Sequence, residues 1–218
     1  MKHPAILLPA LLAALVGLAA PRLWGLSELE VDAGLTFLGN SDRASGPSPL
    51  MPTFGLNLPF GKPLNLEVGL LAWGTYYQYD GGRATPVELE HRDFWVLGLL
   101  ADARVGYTFR IGEAAALGVQ GGVALLLRAP VPLFDDARPN TGAALGYLYG
   151  RARFLYPEAA LFGRFALAEG VALRVSLRGY LPVFHLWDGE DLPFWDQLMV
   201  SGLVGIVFAL PPRNQTKS

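Results

Sequence analysis

Hydrophobic and polar residues alternate along much of this chain, most clearly from Val171 to Val183. The odd-numbered positions of that segment are apolar except for Gly179, whereas the even-numbered positions include Arg174 and Arg178. Successive side chains of a β-strand point to opposite faces, so the pattern predicts a strand with one apolar face and one polar face. The segment is longer than most strands of soluble proteins and is long enough to cross a bilayer at a tilt.

The same alternation predicts eight strands in all. They are Glu28–Leu38, Thr53–Phe60, Leu64–Tyr77, Phe94–Phe109, Ala116–Arg128, Glu158–Leu167, Val171–Val183 and Gln197–Leu210. Short connections follow the second, fourth and sixth strands, and long connections follow the others. Short turns at one rim and long loops at the other are typical of outer-membrane barrels, in which the short turns are periplasmic. Within one long connection, residues 143–156 either form a short helix at the mouth or extend the flanking strands.

Composition indicates that the apolar faces point outward into lipid. Hydrophobic residues make up 52% of the chain and charged residues 17%, and arginine greatly outnumbers lysine. A soluble barrel would instead turn its apolar faces inward and cover its surface with lysine and glutamate. Aromatic residues near both ends of the apolar faces predict the two belts that mark the bilayer interfaces. The predicted fold class is therefore all-β: a transmembrane, eight-stranded, antiparallel up-and-down β-barrel.

The N-terminus predicts export. Lys2 and His3 precede an almost wholly apolar run from Pro4 to Leu18, and Gly17 and Ala19 provide small residues before a cleavage site. This pattern is typical of a cleavable secretory signal peptide. The predicted organisation is a signal peptide over residues 1–19, a barrel over residues 20–210 and a short periplasmic tail over residues 211–218. The chain has no cysteine, which excludes disulfides and zinc–thiolate sites.

The last strand resembles a known signal. Gly205, Phe208 and Leu210 match the terminal insertion signal of bacterial outer-membrane barrels, although Leu203 stands where that signal has a polar residue. In strand number and size the chain is similar to the small eight-stranded barrels: the OmpA membrane domain, OmpX and, favoured weakly, OmpW. The resemblance implies a bacterial outer-membrane location, with membrane lipid and the barrel-assembly machinery as partners.

Charged residues are predicted to fill the periplasmic half of the lumen. The inward positions there hold five acidic and five basic side chains, namely Glu28, Glu30, Asp32, Glu67 and Asp102 with Arg104, Arg110, Arg164, Arg174 and Arg178. An eight-stranded barrel is wide enough only for its own side chains or one small ligand. We therefore expect these groups to pair with one another and to plug the lumen.

Apolar side chains are predicted to fill the extracellular half of the lumen. The candidates for a pocket are Trp73, Phe94, Phe162, Tyr180 and Met199. They either form an ordinary barrel core or line a pocket for a small hydrophobic molecule. The resemblance to OmpW-like barrels favours the pocket, because those barrels are thought to carry small hydrophobic compounds.

The sequence thus predicts a barrel that binds or passes small molecules, hydrophobic ones among them. The alternative is a structural or adhesin-like protein that acts through its long extracellular loops. We expect no enzymatic activity, cofactor, metal or nucleic-acid partner, and we expect a monomer. His185, Asp188, Glu190 and Asp191 share one loop and contain metal-binding groups, but acidic loops are usually only solvated.

Overall fold

The computed structural model describes residues 27–40, 45–60, 64–79, 94–131, 145–146, 148–189 and 192–210. The predicted signal peptide and the predicted C-terminal tail lie outside these ranges.

Eight long antiparallel strands form a closed barrel. The long strands are β1 (Glu28–Leu38), β3 (Leu50–Phe60), β4 (Leu64–Tyr79), β5 (Phe94–Ile111), β6 (Ala115–Val131), β7 (Leu155–Ala168), β8 (Val171–Tyr180) and β9 (Met199–Ala209), and a ninth, short strand is β2 (Ser45–Pro47). Each long strand pairs with two others, and the pairings β1–β9 and β4–β5 complete the ring. The short β2 pairs only with the C-terminal end of β4, at the rim where the long connections lie. The predicted eight-stranded barrel is confirmed.

The strand ends differ from the prediction where prolines lie. Pro52 and Pro157 were expected in loops but belong to β3 and β7, which begin earlier than predicted. In contrast, β8 is shorter than predicted, because it ends at Tyr180 and the predicted strand ends at Val183. Pro182 lacks the N–H group that a continuing ladder would need, and it instead precedes a short 3-10 helix at Val183–Leu186.

The described residues between 145 and 156 combine both expected arrangements. Residues 145, 146, 148 and 149 are helical, and a 3-10 helix follows at Gly150–Ala152. The flanking strands also extend, since β6 reaches Val131 and β7 begins at Leu155.

The outer surface of the barrel is apolar. Its exposed side chains on β5 to β9 include Leu97, Val105, Val119, Leu161, Leu177 and Val204. An apolar surface of this extent would promote aggregation in water and is typical of a lipid-facing barrel wall. Among the described residues no helix is long and apolar enough to cross a membrane.

Candidate functional site

The lumen contains a network of buried charges centred on Glu67. Arg104 Nη2 donates to Glu67 Oε1 at 2.8 Å, and Arg174 Nη1 donates to Glu67 Oε2 at 2.8 Å. Gln120 Nε2 also donates to Oε2 at 2.8 Å. Through these three hydrogen bonds, Glu67 on β4 is connected to side chains on β5, β6 and β8. The bonds are charge-assisted, and such hydrogen bonds are stronger than those between neutral groups.

The same arginines reach further carboxylates across the lumen. Arg104 Nε donates to Asp102 Oδ1 at 2.8 Å, and Arg174 Nη1 donates to Glu30 Oε2 at 2.7 Å. A third arginine, Arg178, donates from Nη2 to Asp32 Oδ2 at 2.9 Å. Asp32 and Arg178 lie on β1 and β8, which both flank β9, so the pair spans the barrel interior instead of following one ladder.

Inward-facing glycines leave the space that these carboxylates occupy. A Cβ atom on Gly205 would lie 2.0 Å from Asp32 Oδ1, and one on Gly69 would lie 2.6 Å from Asp102 Oδ1. Real Cβ atoms do not approach so closely, so larger residues would displace the carboxylates from their arginines. Gly205 of the predicted insertion signal thus also has a role in the lumen.

We define the ion network as the eight buried charged residues Glu30, Asp32, Glu67, Asp102, Glu158, Arg104, Arg174 and Arg178. Each of them is no more than 5% exposed. Glu158 joins the network through Arg104, whose Nε lies 3.7 Å from Glu158 Oε1. The predicted plug omitted Glu158, although its inward position in its strand was a usable signal.

Two arginines predicted for the plug lie elsewhere. Arg164 pairs with Glu28 at 2.6 Å near the periplasmic rim, and its side chain is 34% exposed. Arg110 is exposed near the end of β5. Both residues are close to periplasmic turns, where the lumen opens to water, so inward parity alone does not bury them.

An apolar cluster lies above the ion network, towards the long loops. It consists of Leu38, Met51, Leu71, Trp73, Leu100, Ala124, Leu126, Tyr156, Tyr180, Phe184, Met199 and Leu203. The structure therefore brings together three of the predicted pocket residues, Trp73, Tyr180 and Met199. The side chain of Phe94 is outside the described part of the protein.

Phe162 does not belong to this cluster, so its predicted position in the extracellular half of the lumen is wrong. Its ring lies beneath Arg174, whose Cζ is 3.9 Å from the ring centroid. Because β7 begins three residues before its predicted start, Phe162 lies deeper along the strand than expected. Its contact with Arg174 is a cation–π interaction on the periplasmic side of the network.

A cavity of about 1030 Å³ lies below the network and opens at the periplasmic rim. Glu30, Glu67, Arg174 and Phe162 are among the residues that line it, together with turn residues such as Gly112. The ion network therefore separates this periplasmic cavity from the apolar cluster.

A loop closes the apolar cluster from the extracellular side. Phe184, in the 3-10 helix after β8, is fully buried, and its ring packs edge-on against Tyr156 at a centroid distance of 5.7 Å. We call the described residues 181–189 and 192–198 the lid. His185 Nδ1 lies 2.9 Å from Asp188 Oδ2, and His185 Nε2 lies 2.9 Å from the Asp196 carbonyl oxygen. These contacts connect different parts of the lid to one another.

The lid histidine was also a candidate metal ligand. Both of its ring nitrogens already have partners within the lid, and Glu190 and Asp191 lie outside the described residues. The described ranges contain no group of three or more histidine, cysteine or acidic side chains arranged to hold a metal ion.

The remaining residues of the predicted insertion signal close the barrel. Phe208 faces outward, and its pairing partner on β1 is Leu29. The Leu210 N–H group donates to the Ser27 carbonyl oxygen at 2.8 Å, one residue past the end of β9. The two ends of the described barrel therefore meet at the periplasmic rim.

Comparison with known proteins gives matches in structure only. No family model matches the chain, and no curated protein matches its sequence. Neisserial surface protein A is 11% identical with a TM-score of 0.51, and the match covers 84% of this chain and 96% of that one. OprG from Pseudomonas aeruginosa is 9% identical with a TM-score of 0.49, covering 86% and 98%. Ail from Yersinia pestis, in complex with the heparin analogue sucrose octasulfate, is 10% identical with a TM-score of 0.45, covering 84% and 99%.

At such low identity these matches concern the fold alone, and the weak preference for an OmpW-like barrel stays a prediction. An outer-membrane barrel fold agrees with three features of this chain: its apolar outer wall, its closed antiparallel ring of strands, and the alternation of short turns with long loops. The chain is therefore an eight-stranded β-barrel of the bacterial outer-membrane type, with a lumen occupied by buried ion pairs.

Proposed function

We propose that this barrel binds a small hydrophobic molecule in its extracellular half, beneath the lid. The observation that supports the proposal is the position of Phe184. Within the described part of the chain, it is the member of the apolar cluster that does not come from a strand. A side chain on a loop can leave without breaking the barrel ladder, so its departure would open a ring-sized apolar space above the ion network.

The surroundings of Phe184 suit an apolar ligand with few polar contacts. Tyr156, Trp73, Met199 and Leu126 supply aromatic and flexible apolar surface, which is typical of small-molecule sites. Below them the ion network blocks a direct path to the periplasmic cavity. The proposed activity is therefore capture of the molecule, and its onward passage would require the network to rearrange.

Equilibrium dialysis of labelled naphthalene against the refolded barrel in detergent micelles tests this proposal. Removing the Phe184 ring vacates an apolar space, so Phe184→Ala is expected to bind one naphthalene per barrel at least tenfold more tightly than the native chain. Leu186→Ala is the matched control, because Leu186 lies in the same 3-10 helix but is 72% exposed. Equal binding by the two variants would contradict the proposal.

A second candidate function is surface interaction through the lid. Its outer side exposes Leu186, Trp187, Phe194 and Trp195, each by 46% or more. The indole Nε1 of Trp187 donates to the Arg151 carbonyl oxygen at 2.8 Å, which leaves the apolar ring surface available. Clustered exposed aromatic side chains are typical of interaction sites.

Replacing both tryptophans separates the two functions. Trp187→Ser with Trp195→Ser should abolish attachment of barrel-bearing cells to a partner surface if the lid is adhesive, and should leave naphthalene binding by Phe184→Ala unchanged. Attachment that survives the double replacement would contradict the adhesive function. We likewise propose, as the sequence predicts, that the chain is a monomer without enzymatic activity.

A further inference from the structure

The ion network holds more negative than positive groups. It contains five carboxyl groups and three guanidinium groups, and none of the eight residues is more than 5% exposed. The sequence predicts equal numbers, but Glu28, Arg110 and Arg164 lie outside the network while Glu158 lies within it. Uncompensated charge is strongly unfavourable in a buried site, because the protein interior solvates an ion far less well than water does. The network therefore requires additional positive charge.

Glu158 is the carboxyl group with the poorest set of donors. Neither of its oxygens accepts a hydrogen bond from the described part of the chain. Arg104 Nε is 3.7 Å away, but its single hydrogen is donated to Asp102 at 2.8 Å. Glu67, by contrast, accepts hydrogen bonds from Arg104, Arg174 and Gln120. An ionised carboxylate is stabilised by such donors, and Glu158 has none.

The position of Glu158 adds to this difference, because it lies where the ion network meets the apolar cluster. Its pairing partners are Gly122 on β6 and Tyr180 on β8, and the Tyr180 hydroxyl is buried without a hydrogen-bond partner among the described residues. The charged or titratable groups that face it are Glu67 on β4, Asp102 and Arg104 on β5, Arg178 and Tyr180 on β8, and Tyr156 on its own strand. The ring of Tyr156 and that of Tyr180 belong to the apolar cluster.

We propose that Glu158 is a proton-binding site, and that its carboxyl group is protonated in the folded barrel at neutral pH. The bound proton supplies one of the missing positive charges and gives Glu158 a donor for a neighbouring oxygen. Loss of the proton would add a negative charge beside Asp102 and Arg104, and would weaken the closure of the lumen. This inference is independent of the proposed ligand, because it concerns the network and not the apolar cluster.

Infrared spectroscopy of the refolded native barrel tests the proposal directly. A protonated carboxylic acid has a carbonyl absorption distinct from that of a carboxylate and sensitive to exchange into deuterated water. We expect this absorption at pH 7 in the native barrel and in Asp102→Asn, and a clearly weaker absorption in Glu158→Gln, in which one missing positive charge would still have to be supplied. No such absorption in the native barrel, or an undiminished absorption in Glu158→Gln, would overturn the proposal.

Unfolding by urea at several pH values provides a second test, in which the native barrel is compared with Glu158→Gln. A group that binds its proton more tightly when folded stabilises the fold at low pH and loses that contribution as pH rises. The urea midpoint of the native barrel should therefore fall as the pH rises from about 5 to about 8, whereas that of Glu158→Gln should fall less. Identical pH profiles would overturn the proposal. So would a native midpoint that depends on adding sodium chloride in place of choline chloride, since a bound metal cation would then supply the charge.

Discussion

Removing one arginine from the ion network should destabilise the barrel far more than removing an arginine from the rim. Arg178 is fully buried and pairs with Asp32 at 2.9 Å and with Asp102 at 3.7 Å. Replacing one partner of a buried ion pair leaves an uncompensated charge and costs about 3–5 kcal/mol. Arg178→Met keeps most of the side-chain volume, so the loss of charge should dominate the measured effect.

Arg164 provides the matched control. It pairs with Glu28 at 2.6 Å, a geometry at least as good as that of the Arg178 pair, but its side chain is 34% exposed. Water stabilises both partners after the pair is broken, so Arg164→Met should cost about 0–1 kcal/mol. The difference between the variants, about 3 kcal/mol, is more than a hundredfold in the folding equilibrium constant.

The assay is reversible urea unfolding in lipid vesicles, followed by tryptophan fluorescence and by the shift in gel mobility between folded and heated protein. Adding Asp32→Asn to Arg178→Met should restore at least about 1 kcal/mol, because it removes one of the charges left unpaired. Equal losses for Arg178→Met and Arg164→Met would refute the reasoning, since burial would then not determine the strength of these pairs.

Three further perturbations address the wall, the lid and assembly. Gly34→Ala places a Cβ atom 2.1 Å from the Gly202 carbonyl oxygen, so it should lower stability by about 1–3 kcal/mol, whereas Gly202→Ala meets nothing within 4 Å and should be neutral in the same urea assay. His185→Ala removes contacts within the lid and should speed proteolytic cleavage between residues 186 and 195, while Leu186→Ala should not; equal cleavage of the two variants would show that these contacts do not order the lid. Phe208→Ala should slow assembly by purified barrel-assembly machinery and leave the final fold intact, and an unchanged rate would argue against the insertion signal.

The direction of each side chain could be predicted from the sequence because strand parity determines it. Glu67 and Asp102 point inward and Leu97 and Val105 point outward, as the alternation indicates. The strand ends were less predictable, since the prolines at 52 and 157 resemble loop residues in sequence yet pair within strands.

The membership of the ion network could not be read from parity. Inward residues meet according to the stagger between strands, which a single sequence does not specify. Glu158 reaches Arg104 from a strand that does not neighbour β5, while Arg164, also inward, ends at the rim. The burial of Phe184 could not be predicted from the sequence either, because a loop has no periodic pattern of apolar and polar residues.

Fluorescence of single-tryptophan variants tests most directly whether the extracellular half takes up a hydrophobic molecule. Trp73 lies in the apolar cluster, whereas Trp95 faces outward and is 39% exposed, so each can be retained alone as a reporter. Titration with a brominated aromatic compound should quench Trp73 saturably, at lower concentration after Phe184→Ala, and should quench Trp95 only in proportion to the compound dissolved in the lipid. Trp73 that stays unquenched in both backgrounds, or that follows the linear response of Trp95, would contradict the account.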